Sequence, residues 1–253
     1  MDVNNMAAVV TGGASGLGGA TARALAEAGA KVAVLDLNGD GAKAMAKNIG
    51  GLGFACDVTD PGAVAAALGQ VNDGIGVPRI VVNCAGIGVA ERIVGREGAM
   101  PLENFARVIN INLIGTFNVL RLAATEMTKL DEHDEGERGM IINTTSVAAF
   151  EGQVGQAAYS ASKGGIAALT LPAARELARF GIRVVAIAPG LIETPMFDGL
   201  PDGAREALIS ITQYPHRLGY PEEYASLIMH IAANRLLNGE VIRLDGAIRL
   251  PPR

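Results

Sequence analysis

Tyr159 and Lys163 stand four positions apart in Tyr159-Ser160-Ala161-Ser162-Lys163, a spacing that puts a phenol and an ammonium on one helix face. A free phenol ionises near pH ~10 and is a sluggish base at neutrality. A fixed cation one turn away favours the phenolate and brings proton exchange toward the working range. Upstream, just beyond the apolar run Met140-Ile141-Ile142, Ser146 offers a hydroxyl that could hold a carbonyl or alcohol oxygen beside that phenol. Asn112 lies inside an otherwise apolar helical pattern over 105–127. Asparagine is mildly unfavourable in a helix interior, so its presence calls for a reason. Tyrosine and lysine at this spacing also occur by chance, so the weight rests on what surrounds them.

Thr11-Gly12-Gly13-Ala14-Ser15-Gly16-Leu17-Gly18 follows one apolar run and opens a helical one. Gly12 permits a tight turn, Gly16 lets a pyrophosphate approach the backbone, and Gly18 allows close helix–sheet packing. The positive end of the helix dipole then faces the phosphates. The spacing is GxxxGxG, not the commoner GxGxxG. Asp36 ends the second apolar run, where a carboxylate can accept both hydroxyls of an adenosine ribose. Its charge repels a 2′-phosphate and the loop offers no Arg or Lys, so NAD(H) is expected over NADP(H). Asp57-Val58 could meet the adenine edge, and Asn83-Cys84-Ala85-Gly86 leaves room beside the cofactor.

These residues need elements to hold them. Short β-branched runs predict strands at 7–11, 31–37, 53–58, 79–83, 140–144 and 183–188. Alanine-rich amphipathic segments predict helices at 17–28, 41–49 and 61–71, the last with Asp60 as N-cap and Pro61 at its first position. Runs such as Val32-Ala33-Val34-Leu35 imply burial on both faces, as in parallel sheets. The fold class is therefore α/β: a single-domain Rossmann-type doubly wound parallel sheet over 1–253, about seven strands with helices on both faces. Near 190–219 the pattern lapses; Pro195, Pro201 and Pro215 punctuate a partly apolar stretch with Met196, Phe197, Leu200, Ile209 and Ile211, suited to a cover over a substrate pocket. The acidic run 131–137, with His133, reads as a solvated loop. Gly164-Gly165 suggests close approach of another backbone, Pro172 a kink or a new turn, and apolar residues on several faces of 157–178 suggest subunit packing.

The 253 residues, 49% hydrophobic with 33 glycines, suit a compact fold with many tight turns. A net charge of −5 gives no general reason to bind nucleic acid or an anionic membrane. No uninterrupted apolar run approaches the ~20 residues of a membrane span. Cys56 and Cys84 form no metal-type pair and read as reduced core residues ending strands; no metal is expected. The first residues lack the order of a secretory signal, so a cytoplasmic place is expected, or the mitochondrial matrix if a targeting peptide precedes this sequence.

Jointly, the glycine loop, Asp57, Asn83 to Gly86, Asn112, Ser146, Tyr159, Lys163 and Pro189-Gly190 resemble the short-chain dehydrogenases/reductases across essentially the whole chain. Cys84 departs from the pattern, since many members carry a second asparagine there. The stretch from Ser146 to Gln156 and that from Leu237 to Ala247 are similar to the type II 3-hydroxyacyl-CoA dehydrogenases. The resemblance implies Tyr159 as general acid/base, Lys163 lowering its pKa and bonding the nicotinamide ribose, Ser146 orienting the reacting oxygen, and Asn112 helping hold a water between Lys163 and solvent. It implies dinucleotide contacts from Gly12, Ser15, Gly16, Leu17 and Gly18, then from Asp36, Asp57, Val58, Asn83, Ala85 and Gly86. Pro189, Gly190 and Thr194 would lie beside the nicotinamide. Gln153 would join Ser146 and Tyr159 at the acyl group, and Arg92 and Arg96 could meet coenzyme A phosphates.

The implied activity is hydride transfer between NAD(H) and the 3-hydroxy/3-oxo group of an acyl-CoA, extending to steroids or other secondary alcohols, in a homotetramer. The rival enzyme is a 3-oxoacyl carrier-protein or acetoacetyl-CoA reductase. An NAD-binding scaffold or sensor is the non-enzymatic alternative; such a binder needs no proton-transfer groups.

Overall fold

Neighbouring residues of a strand face opposite ways, so a run apolar at every position needs cover on both sides. The computed structural model of the chain, which describes residues 1–195 and 202–252, shows that cover. Of the expected pocket cover, Met196, Phe197, Leu200 and Pro201 lie outside the described residues.

Strands β1 (Ala7–Thr11), β2 (Lys31–Asp36), β3 (Leu52–Ala55), β4 (Ile80–Asn83), β7 (Gly139–Thr144), β8 (Ile182–Pro189) and β9 (Val241–Leu244) form one sheet. Their order is β3-β2-β1-β4-β7-β8-β9, every neighbouring pair parallel. On one face Val10, Val34, Val82 and Ile142 meet Leu25 of α1 (Gly16–Glu27), Met45 of α2 (Gly39–Ile49) and Ile228 of α8 (Pro221–Ala233). On the other, Val9, Leu35, Val81 and Ile141 meet Leu68 of α3 (Pro61–Ile75) and Val119 and Met127 of α5 (Gly115–Met127). Strand order reverses between β1 and β4, which opens a crevice at their carboxyl ends.

Several boundaries move for local reasons. β3 stops at Ala55, short of the expected 58, because Asp57 Oδ1 accepts from both the backbone N–H and the hydroxyl of Thr59 and turns the chain. Cys56 and Cys84 thus lie one residue beyond their strands. Asp60 caps α3 as expected, Oδ1 accepting from the N–H of Gly62 and Ala63. The helix expected over 105–127 is α4 (Leu102–Ile109), a π turn (Asn110–Ile114) and α5. By length and composition alone Leu102–Met127 could cross a membrane, but half of its most apolar window is buried within the protein. Helix α6 (Ala157–Leu177) runs through Pro172 without ending. What Gly165 makes room for is a side chain rather than another backbone: a Cβ there would lie 2.6 Å from Leu113 Cδ2 of the π turn.

The acidic run is not wholly solvated. Glu137 is buried, and its Oε1 accepts from Nε of buried Arg183 at 2.7 Å. The Arg183 guanidinium also donates to the carbonyls of Ile231 and Ala232, at 3.0 and 3.3 Å, satisfying the end of α8, and to that of Leu237 beyond it at 3.0 Å. A buried guanidinium requires a partner of opposite charge, and Glu137 supplies it. Within 86–102 a short antiparallel hairpin appears, β5 (Val94–Gly95) and β6 (Gly98–Ala99), which the strand pattern did not predict. β9 was likewise unassigned. In the 190–219 segment the described part includes α7 (Asp202–Ser210) and a bridge between Ile192 and Gly219.

Candidate active site

The glycine loop crosses from β1 to α1 with Gly12 at φ +61° and Gly16 at φ +52°, conformations that favour glycine. A Cβ on Gly12 would lie 2.8 Å from the Ala85 backbone, so the loops after β1 and β4 meet here. Ala85 N–H donates to Thr11 Oγ1 at 3.2 Å, and Asn83 Nδ2 to Asn143 Oδ1 at 2.9 Å, which locks these strand ends together. Ser15 is the N-cap of α1, yet its side chain makes no bond to that helix, and the first turn carries no acidic residue. An anion therefore meets free N–H groups, a hydroxyl and the positive dipole end. A Cβ on Gly16 would meet Thr194 at 3.5 Å and Pro195 at 3.6 Å, so the chain after β8 lies over the loop. Leu17 packs against the core below.

Asp36 is fixed at the end of β2: Oδ2 accepts from Ala14 N–H at 3.1 Å and Oδ1 from Asn38 N–H at 2.9 Å. Its carboxylate is thereby aligned with the glycine loop. Asp57 lines a cleft of about 450 Å³ with Thr59, Glu103 and Arg107. Val58, next in the same loop, turns its side chain away from this cleft. Its side chain is buried against Gly115 of α5, and its carbonyl accepts from Asn118 Nδ2 at 2.9 Å. Gly190, after Pro189, is packed so closely on Asp245 that a Cβ would lie 2.8 Å from its Cα. These glycines, the helix end and Asp36 suit a dinucleotide.

Around Gly86 the second half of the site converges. A Cβ there would lie 3.1 Å from Asn112 Oδ1 and 3.5 Å from Lys163 Nζ. Asn112 is fully buried and makes three bonds: Oδ1 accepts from Ile87 N–H at 2.8 Å, and both Nδ2 hydrogens donate, to Ile87 O and Ser162 Oγ, each at 3.0 Å. These partners lie outside its own helix, which is the reason an asparagine stands there. Lys163 is buried on α6 and donates to the Thr144 carbonyl at 2.8 Å, with Nζ 5.8 Å from the Tyr159 ring centre. The Tyr159 phenol faces the Ser146 hydroxyl, which acts to lower its pKa. Ser146 Oγ accepts from Ala148 N–H at 3.1 Å, which leaves its own hydrogen to donate.

The electrostatics differ from the simple expectation. Burial pushes the Tyr159 phenol up, and the neighbouring Ser146 hydroxyl partly opposes this. Burial also brings the Lys163 ammonium down to about 8, opposed by Cys84. Desolvation acts on both groups, so Lys163 is not the dominant influence on Tyr159. Thr144 and Ser162 were not singled out in the sequence, although both adjoin its motifs: Thr144 closes the β7 run before Ser146, and Ser162 lies between Tyr159 and Lys163.

Gln153 does not stand free. Its Nε2 donates to Pro251 O at 3.0 Å, and Val154 N–H to Pro252 O at 3.0 Å, so the loop before α6 is strapped to the C-terminal segment. Glu151 in that loop accepts from Arg243 of β9 at 2.9 Å. Arg92 and Arg96 are exposed around the β5–β6 hairpin.

A profile of the short chain dehydrogenase family matches residues 6–204. The 3-hydroxyacyl-CoA dehydrogenase type-2 of Bos taurus is 54% identical, covering 99% of this chain and 97% of the bovine protein. The human protein of the same name is 53% identical with the same coverage. Among solved structures, a 3-hydroxyacyl-CoA dehydrogenase type-2 from Mycobacterium avium superposes with a TM-score of 0.94 at 40% identity, covering 98% of each chain.

Proposed function

The chain belongs to the short chain dehydrogenase family of nicotinamide-dependent oxidoreductases, and from that membership we propose that it moves a hydride between NAD(H) and the 3-hydroxy/3-oxo group of an acyl-CoA. The observation that carries this reading is Ser146 set against the Tyr159 phenol, with Lys163 one turn further on, beside the small-residue turn at Gly86.

The bound dinucleotide supplies the hydride donor or acceptor. In oxidation Tyr159 takes the substrate hydroxyl proton; in reduction it returns that proton to the carbonyl oxygen. Ser146 directs its hydrogen at the same oxygen and stabilises charge developing there. One Lys163 N–H is committed to Thr144, leaving two for the nicotinamide ribose. Asn112 holds Ile87 and Ser162, and so fixes the Gly86 turn against α6.

Asp36, with no Lys or Arg in the glycine loop, supports NAD(H) over NADP(H). The segment near 190–219 serves as substrate cover, within one catalytic domain. Arg92 and Arg96 carry the charge to meet coenzyme A phosphates. Exposed Ile114, Phe117 and Leu171 give an apolar surface for a homotetramer, testable as a solution mass four times 26.0 kDa. The protein then works in the cytoplasm, or in the mitochondrial matrix if a targeting peptide precedes it.

The test is acetoacetyl-CoA reduction with NADH and NADPH, for the protein and for Tyr159→Phe. NADH is preferred, and the variant loses roughly 10³-fold in turnover while still binding NADH. Near-normal turnover in the variant refutes the role of Tyr159. Strong NADPH preference, with faster reduction of a carrier-protein thioester, favours the rival reductase.

A further inference from the structure

Lys163 is anchored to a backbone carbonyl, and that carbonyl belongs to a residue held from the far side of the sheet. Tyr224 of α8 is fully buried, with its hydroxyl 2.7 Å from Thr144 Oγ1. Thr144 Oγ1 lies 2.6 Å from the Asn83 carbonyl oxygen, which can only accept. The single threonine hydrogen is therefore used there, and Tyr224 must be the donor to Thr144. The Cys84 sulfur lies 3.8 Å from the tyrosine oxygen and 3.5 Å from Thr144 Oγ1. The direction of donation is thus fixed from Tyr224 to Thr144 to Asn83, with Cys84 beside it. It joins the ends of β4 and β7 to α8, one residue from Ser146's neighbour Thr145, whose hydroxyl donates to the Lys163 carbonyl at 2.7 Å.

We propose that Tyr224 is a positioning residue for Lys163: its buried hydroxyl sets Thr144, whose carbonyl aims the ammonium at the proton-transfer site. It touches neither substrate nor cofactor. The inference rests on the proton-transfer reading of Tyr159 and Lys163. The groups facing that pair are Ser146 on Tyr159 and Cys84 on Lys163, with Tyr224 behind Cys84. Among the described residues, no carboxylate or histidine is among the groups acting on either.

Tyr224→Phe keeps the ring and removes only the hydroxyl. It is expected to lower kcat roughly tenfold, since small misplacements of catalytic groups are costly, with KM for acetoacetyl-CoA within about twofold of wild type. The pH profile of alcohol oxidation should move to higher pH, because a loosened ammonium supports the phenolate less. Thr144→Val should reproduce both changes, and the double variant should be no worse than either alone. Ile228→Val, one turn along α8, controls for lost stability without a pH shift. Wild-type kcat and pH profile in Tyr224→Phe or Thr144→Val overturns the proposal. So does a lowered melting temperature with an unmoved profile, as in the control. If Tyr224→Phe does not fold, Thr144→Val decides alone. Lys163→Ala, measured alongside, separates the two layers: retained turnover there sinks the proton-transfer reading instead.

Discussion

Burial at Lys163 should be visible as a pH-dependent part of stability that Lys163→Met removes. The ammonium titrates at about 8 in the folded protein against a model value of 10.5. Between those values the unfolded chain binds the proton and the folded one does not, so stability rises with pH at about 1.4 kcal/mol per unit. Below about 8 both states carry it, and the full penalty of about 3 kcal/mol is present. The assay is urea unfolding of both proteins at fixed concentration from pH 7 to 9.5. Wild-type minus variant stability should be flat below pH 8 and then climb by about 2 kcal/mol to pH 9.5. Tyr159, Cys84 and Cys56, whose raised values act in the opposite sense at higher pH, are present in both proteins and largely cancel. The lost bond to Thr144 offsets the whole curve without giving it a slope. Parallel curves across the window refute the reasoning.

Asp36→Ser removes the fixed carboxylate at the end of β2; NADH should bind roughly tenfold more weakly and discrimination against NADPH should fall, read by nucleotide fluorescence titration. Unchanged preference would place cofactor choice elsewhere. Asp60→Ala removes the cap on α3 and should cost about 1 kcal/mol in urea unfolding with kcat unaltered. Glu137→Ala leaves Arg183 buried without its carboxylate and should cost about 3 kcal/mol or more, again by urea unfolding. A loss under 1 kcal/mol there would mean that the α8 carbonyls suffice for the guanidinium.

The sheet was legible because its strands are apolar at successive positions, and each such run found cover on both faces. What escaped were elements whose signal is shared or interrupted. β9 mixes Arg243 into a four-residue strand, and its side chain serves Glu151 rather than the core. The β5–β6 hairpin is exposed and has no apolar alternation to betray it. Glu137 stands in an acidic run, and composition cannot say which one of seven residues turns inward; Arg183 of β8, with Met1 and Arg235 beside it, decides that. Asn112 was visible as an anomaly, but its partners Ile87 and Ser162 are set by the tertiary fold. The π turn around it widens the helix where that side chain turns to another segment.

Asn112, Tyr159 and Lys163 drew notice in the sequence and the structure brings them together around Gly86, whereas the balance of burial and charge acting on them was not legible there. Tyr159 and Lys163 are both desolvated, which opposes a phenolate and an ammonium alike. Lys163 Nζ stands 5.8 Å from the Tyr159 ring centre, near enough for a protonated ammonium to favour a phenolate. Burial is nevertheless the larger influence on each group, and the ammonium works against it only while it keeps its proton. A phenolate forms most readily while Lys163 holds its proton and points inward. The spacing in sequence guarantees only proximity; the Thr144 carbonyl, fixed from behind the sheet, supplies the direction.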